Sequence, residues 1–128
     1  MNNGKKITSF TQLDAWREGH KLVLQCYQII RLFPREERFA LSNQISRAVV
    51  SITSNVAEGF SRRSYKEKVA FYSNALGSLT EIQNQLLIAR DVGYISPEKF
   101  SAIATQSVIV HKLLNGLIKK SKSIIHDS

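Results

Sequence analysis

Residues 64–93 read SYKEKVAFYSNALGSLTEIQNQLLIARDVG, and within them Tyr72, Ala75, Leu79, Ile82, Leu86 and Ala89 recur at spacings of three and four. That is the period of one face of an α-helix and of a coiled-coil seam, with the two alanines allowing close approach. Ser64 and Glu67 open the segment as a capping box, in which each side chain meets the other's orphan backbone amide. Gly93 closes it with a residue suited to the left-handed conformation. An amphipathic helix must cover its apolar stripe with partners, so this stretch predicts a member of a helix bundle.

Three further segments of the same kind flank it. In residues 12–33, Trp16, His20, Val23, Tyr27 and Ile30 mark one helical face, and Pro34 interrupts it because the residue before a proline is disfavoured in the α region. A second helix begins somewhere in residues 36–42, carries Ile45, Val49, Ile52 and Val56, and is expected to stop at Gly59. The fourth starts at Ser96-Pro97, an N-cap followed by proline at the first helical position. Its inner face is Phe100, Ile103, Ser107, Val110, Leu114 and Leu117, as far as about residue 122. Helices of such length joined by short connections favour antiparallel neighbours, so the expected fold is all-α: an up-down-up-down four-helix bundle over residues 11–122. Residues 1–10 are expected as a flexible N-terminal tail and 123–128 as a C-terminal tail. Strand-like alternation, internal repeats and low-complexity tracts are absent from the sequence.

The composition fits one domain: 128 residues, 43% of them apolar. The single cysteine, Cys26, lies in an apolar stretch and reads as a buried, inert thiol. The polar start lacks the apolar core of a secretory signal, and no apolar run approaches the ~20 residues that span a bilayer, so cytoplasmic residence without membrane contact is expected.

Beside the apolar stripe of the second helix runs a polar one: Gln44, Arg47, Ser51, Asn55 and Glu58. The third helix carries Asn74, Ser78, Glu81 and Gln85 at the same spacings. With the two helices antiparallel about a hinge near Arg62, Arg47 falls level with Glu81 and Ser51 with Asn74. Two readings stand: a solvated outer face, or an interhelical polar network that sets register. The second is preferred, because apolar stripes alone leave the helices able to slide.

The stretch QISRAVVSITSNVAEG, residues 44–59, closely resembles the central motif of a bacterial four-helix bundle family first described as proteins encoded in intervening sequences of large-subunit ribosomal RNA. Phe33-Pro34 with Glu37, residues 77–81 (GSLTE) and Gly93-Tyr94-Ile95 resemble its flanking motifs, and the resemblance covers residues 10–119. Ser46 stands where the family often has a second arginine, so no basic contact is carried over there. The resemblance implies a homopentameric ring and no enzymatic activity. It also implies kinship to basic accessory proteins of diversity-generating retroelements, which bind a reverse transcriptase and nucleic acid.

Eighteen Lys and Arg against ten Asp and Glu give a net charge of +8. In an up-down bundle one end collects Lys5, Lys6, Arg62, Arg63, Lys66, Lys68, Lys119, Lys120 and Lys122, opposed only by Glu58, Glu67 and Asp127. The other end is nearly balanced. Either these are ordinary solvated ends, or the basic end neutralises phosphates, and a ring would multiply the cluster on one face. Tyr65, in the same turn, either stacks on a base or packs against its helix.

Catalytic signals are lacking: there is no glycine-rich phosphate loop, nucleophile elbow or His-Glu-x-x-His pattern, and His20, His111 and His126 are far apart. No metal and no cofactor is expected. The leading expectation is therefore a non-enzymatic oligomeric scaffold binding RNA or DNA with low sequence specificity, as an accessory to a ribonucleoprotein or a reverse transcriptase. The alternative is a protein-binding assembly scaffold without a nucleic-acid role. In either case Leu22, Phe39, Phe71 and Leu87 are the expected subunit contacts.

Overall fold

The computed structural model describes residues 6–127. Among them there are four long helices and no strand: α1 (Asp14–Ile30), α2 (Leu41–Ser61), α3 (Tyr65–Asp91) and α4 (Pro97–Asp127). Each packs on two others, α1 on α2 and α4, and α3 on α2 and α4, while the backbones of the diagonal pairs stay apart. That is the packing of a four-helix bundle around a single core.

Local chemistry sets the boundaries. A 3-10 turn at Phe10–Gln12 leads into α1, held by a capping box in which Ser9 Oγ accepts the Thr11 amide and Gln12 Oε1 accepts the Ser9 amide. Residues 8–10, expected as tail, thus belong to a capped turn; residues 1–5 lie outside the described residues. Ser64 Oγ accepts the Glu67 amide at 3.2 Å, but the reciprocal half of the expected box is not made. Ser96 caps α4 by accepting the Lys99 amide, and α3 ends on a Schellman motif. In that motif Tyr94 N–H reaches Ala89 O at 2.9 Å and Gly93 N–H reaches Arg90 O at 3.1 Å, with Gly93 at φ +84°.

The core confirms three of the four expected stripes. Ile45, Val49, Ile52 and Val56 of α2, and Tyr72, Ala75, Leu79, Ile82, Leu86 and Ala89 of α3, are all buried, as are Ile103, Ser107, Val110 and Leu114 of α4. The first helix is a correction. Its buried line is Ala15, Gly19, Leu22, Cys26 and Ile29, one residue from the expected face, and Tyr27 is left 47% exposed. Close approach decides this: a Cβ on Gly19 would come within 3.1 Å of Thr53 Cγ2, so α1 presents its small residues to α2. Trp16, Val23 and Ile30 pack at the edge of the core instead, with His20 stacked on Trp16 at 4.8 Å.

Gly59 is a second correction. It does not stop α2, which runs two residues further, and it serves packing: a Cβ there would meet Tyr72 Cε1 at 2.6 Å and Phe71 Cβ at 3.0 Å. Gly59→Ala should therefore destabilise by about 1–3 kcal/mol through overpacking, despite alanine's better helix propensity. Chemical denaturation checks this; a variant more stable than the parent would show that the α2–α3 spacing is looser.

At one end of the bundle two of the three flanking motifs meet, while residues 77–81 lie mid-way along α3. Tyr94 Oη donates to Glu37 Oε2 at 2.7 Å, Glu37 Oε1 accepts the Leu41 amide, and the Phe33 and Tyr94 rings lie 5.2 Å apart. Glu37 thus satisfies the start of α2 and holds the α3–α4 turn against it. At the other end, α4 continues through residues 123–127, expected as a tail, because Ser121 is buried with its Oγ on Leu117 O and Ile124 is half-buried beside it.

Candidate nucleic-acid interface

Short range fixes the turn between α2 and α3. The last carbonyls of α2 have no intrahelical donors, and Lys68 supplies one, its Nζ donating to Phe60 O at 2.7 Å and Gly59 O at 3.3 Å. The ammonium also lies 5.5 Å and 5.6 Å from the Phe60 and Tyr65 ring centroids, and burial holds it below the ordinary lysine value. Arg62 is engaged as well: it pairs with Glu58 at 3.2 Å, and its guanidinium sits 4.6 Å from the Phe71 ring centroid. Two of the four turn cations are thus occupied in holding the corner together. Arg63 and Lys66 are exposed and make no ion pair among the described residues.

Lys68 does bring distant parts of the chain to this corner. It shares a small groove with Leu13, Phe60, Tyr65, Tyr72, Leu117, Lys120 and Ile124, so the entry to α1, the α2–α3 turn and the last turns of α4 converge there. Lys6, Lys119, Lys120 and Lys122 are exposed. Lys5, part of the same expected cluster, lies outside the described residues. Tyr65 is 40% exposed at the rim.

The expected polar network of α2 and α3 is present only in part. Ser51 Oγ bonds to Ser78 Oγ at 2.9 Å, and Ser78 rather than Asn74 is its partner; Asn74 is exposed. Asn55 turns back on its own helix, donating to Ser51 O and Oγ. Gln44, Arg47 and Glu81 line one groove of about 510 Å3 together with Ser51, Ser78 and Gln85, yet Arg47 and Glu81 form no ion pair. Both are exposed, where a pair would contribute about 0–1 kcal/mol and hold two long side chains fixed. Register is set instead by the serine pair and by Gly59 against Tyr72. The links that sequence reasoning missed, Gln106 Nε2 to Glu18 O and Gln83 Nε2 to Ser107 Oγ, join α4 to α1 and α3. Their only sequence signal was a glutamine flanking a buried stripe.

The family model described as 23S rRNA-intervening sequence protein matches residues 11–116. The chain belongs to that family. A crystal structure of a protein of unknown function from the S23 ribosomal protein family of Bacteroides thetaiotaomicron VPI-5482 superimposes with a TM-score of 0.76. It has 23% identity and covers 82% of this chain and 98% of that one, a likeness of fold. A search of curated proteins finds no match.

Within this family member, the remaining reactive side chains have structural surroundings. Burial pushes the Cys26 thiol up to about 12, far from thiolate chemistry at neutral pH. Burial, and secondarily Tyr65, raises Tyr72 to about 12. Among the described residues no group of three or more His, Cys, Asp or Glu is placed to hold a metal, and no helix is long and apolar enough to cross a membrane.

Proposed function

We propose that this protein is a non-enzymatic, oligomeric, antiparallel up-down-up-down bundle that binds RNA or DNA with low sequence specificity. Phosphates dock at the pole made by the α2–α3 turn and the end of α4. The observation that carries this reading is the groove shared by Lys68 and Lys120, which joins cations from opposite parts of the chain. The antiparallel order is supported by Ser51 on Ser78 and Gly59 on Tyr72, whose numbers run in opposite directions along α2 and α3, and by Gln106 on Glu18 with Lys99 beside Ile29, which do so along α4 and α1. Arg63, Lys66 and Lys120 are the phosphate contacts; Arg62 and Lys68 shape the corner and add field. Phosphate contacts carry no base information, hence the low specificity. Such a module suits an accessory role in a ribonucleoprotein or beside a reverse transcriptase.

The salt dependence of binding tests this. Each phosphate neutralised on duplex DNA contributes about −0.9 to the slope of log K against log salt. Three contacts per chain predict a slope near −3; a flat plot would remove the reading.

A second reading, assembly through protein contacts, has its own support. Leu24 and Val108 are 52% and 47% exposed, and Phe39 and Leu87 stay outside the core as expected of contact residues. Leu22 does not, being fully buried, and Phe71 lies half-buried beneath Arg62. A homopentameric ring would cover such side chains and repeat the basic pole on one face. Light scattering should give the mass of five chains; a monomer at micromolar concentration contradicts the ring.

A further inference from the structure

A second groove opens beside the basic pole, between α1 and α4, with a volume of about 480 Å3. Leu13, Leu113 and Leu117 line it with apolar surface, and Arg17, Lys112 and Lys120 supply three cations. All three are exposed, and none forms an ion pair among the described residues. Asp14 is the one acid on the rim, which leaves the groove net positive. Leu13, Leu117 and Lys120 also line the groove that holds Lys68 and Tyr65, so the two grooves adjoin and share a cation. On α4, Lys112 and Lys120 are eight residues apart, about 12 Å along the axis.

We propose that this groove takes a single-stranded stretch of nucleic acid, with an unpaired base on the leucine floor and its flanking phosphates on Arg17, Lys112 and Lys120. The proposal rests on the nucleic-acid reading of the pole and extends it to residues outside the pole. An unpaired base has a free face to lay on apolar surface, whereas the bases of a duplex are stacked on one another and would leave the floor unused. The charge around the floor matches a phosphate-bearing ligand, and continuity with the pole gives the strand a path onto the bundle. The floor leucines are only partly buried, so a ligand laid on them would remove further apolar surface from water.

Gly116 provides a test that leaves the fold intact. It lines the groove, and a Cβ placed on it meets nothing within 4 Å. Gly116→Leu fills the space while improving helix propensity, so it should melt no lower than the parent. Binding of a short fluorescent single-stranded RNA, and of the same strand in a duplex, is measured for the parent, Gly116→Leu, Arg17→Ala/Lys112→Ala and Arg63→Ala/Lys66→Ala. Gly116→Leu should weaken single-strand binding by about tenfold and leave the duplex unchanged. Arg17→Ala/Lys112→Ala should weaken the single strand more than the duplex. Unchanged single-strand binding in both groove variants overturns the proposal, and if the pole variant still weakens both ligands, the pole reading survives alone. Equal loss on both ligands in Gly116→Leu also overturns it. If the parent binds neither RNA but holds an acidic amphipathic peptide in a Gly116-sensitive way, the groove is a protein-docking site and both readings fall.

Discussion

Leu79→Ala should lower the unfolding free energy by about 2–5 kcal/mol, the range for truncating a fully buried leucine. Leu79 has no exposed surface and sits in the middle of the stripe from which the fold can be read, among Ile45, Ile52, Ile82 and Leu114, which are equally buried. Two terms add: the lost transfer of the removed carbons, and a cavity that four long helices cannot collapse without moving their seams. Against a typical total of about 5–15 kcal/mol, this is enough to shift the denaturation midpoint severely. Leu87→Ala, on the same helix but 41% exposed, should change stability by no more than about 0.5 kcal/mol in the free chain. Equal costs for the two would mean that the inner face of α3 is wrongly assigned.

The second large effect concerns the pole. Arg63→Ala/Lys66→Ala/Lys120→Ala removes three exposed cations that make no internal ion pair, so the fold should keep its stability. At about 1 kcal/mol or more for each charge-assisted phosphate contact, affinity for RNA should fall by about two orders of magnitude. Arg62 and Lys68 are left out of this variant because their substitution mixes two effects. Lys68→Ala removes a donor from the Phe60 carbonyl and one of two from Gly59, and Arg62→Ala uncovers Phe71 and breaks the Glu58 pair, so a loss of binding would also follow from a loosened turn.

Which parts of this were legible in the sequence follows from what each feature depends on. The stripes of α2, α3 and α4 depend on periodicity within one helix, so Ile52, Leu79 and Val110 could be placed in the core from spacing alone. The face of α1 depends on how closely a neighbour approaches. Trp16 and Tyr27 carry more apolar surface than Ala15 and Gly19, and reasoning by hydrophobic size selects the former. Contact at Thr53 selects the latter. Gly59 shows the same limit: a glycine at a helix end and a glycine under an aromatic ring look alike until Tyr72 is in place. The Arg47–Glu81 pairing was right in level and wrong in contact, because height along a bundle follows from residue counting while rotamers do not.

The meeting of the α2–α3 turn with the end of α4, seen in the groove shared by Lys68 and Lys120, was legible from segment order and short connections. The separate duties of its cations were not legible. Lys68 is claimed by the open carbonyls of α2 and Arg62 by Phe71, and both depend on the path of the turn. The α1–α4 groove was hidden for the same reason: Arg17 and Lys112 lie 95 positions apart in sequence and become neighbours only through the packing of two helices.

A charge-matched comparison of the two ends tests the central claim most directly. RNA affinity is measured at low salt for the parent, for Arg63→Ala/Lys66→Ala/Lys120→Ala, and for Arg31→Ala/Arg35→Ala/Lys99→Ala, which removes the same charge from the opposite end. Phosphate binding at one pole predicts a loss of about a hundredfold for the first variant and at most a few-fold for the second. Equal losses would mean that the protein attracts nucleic acid by net charge alone and that the pole is not a site.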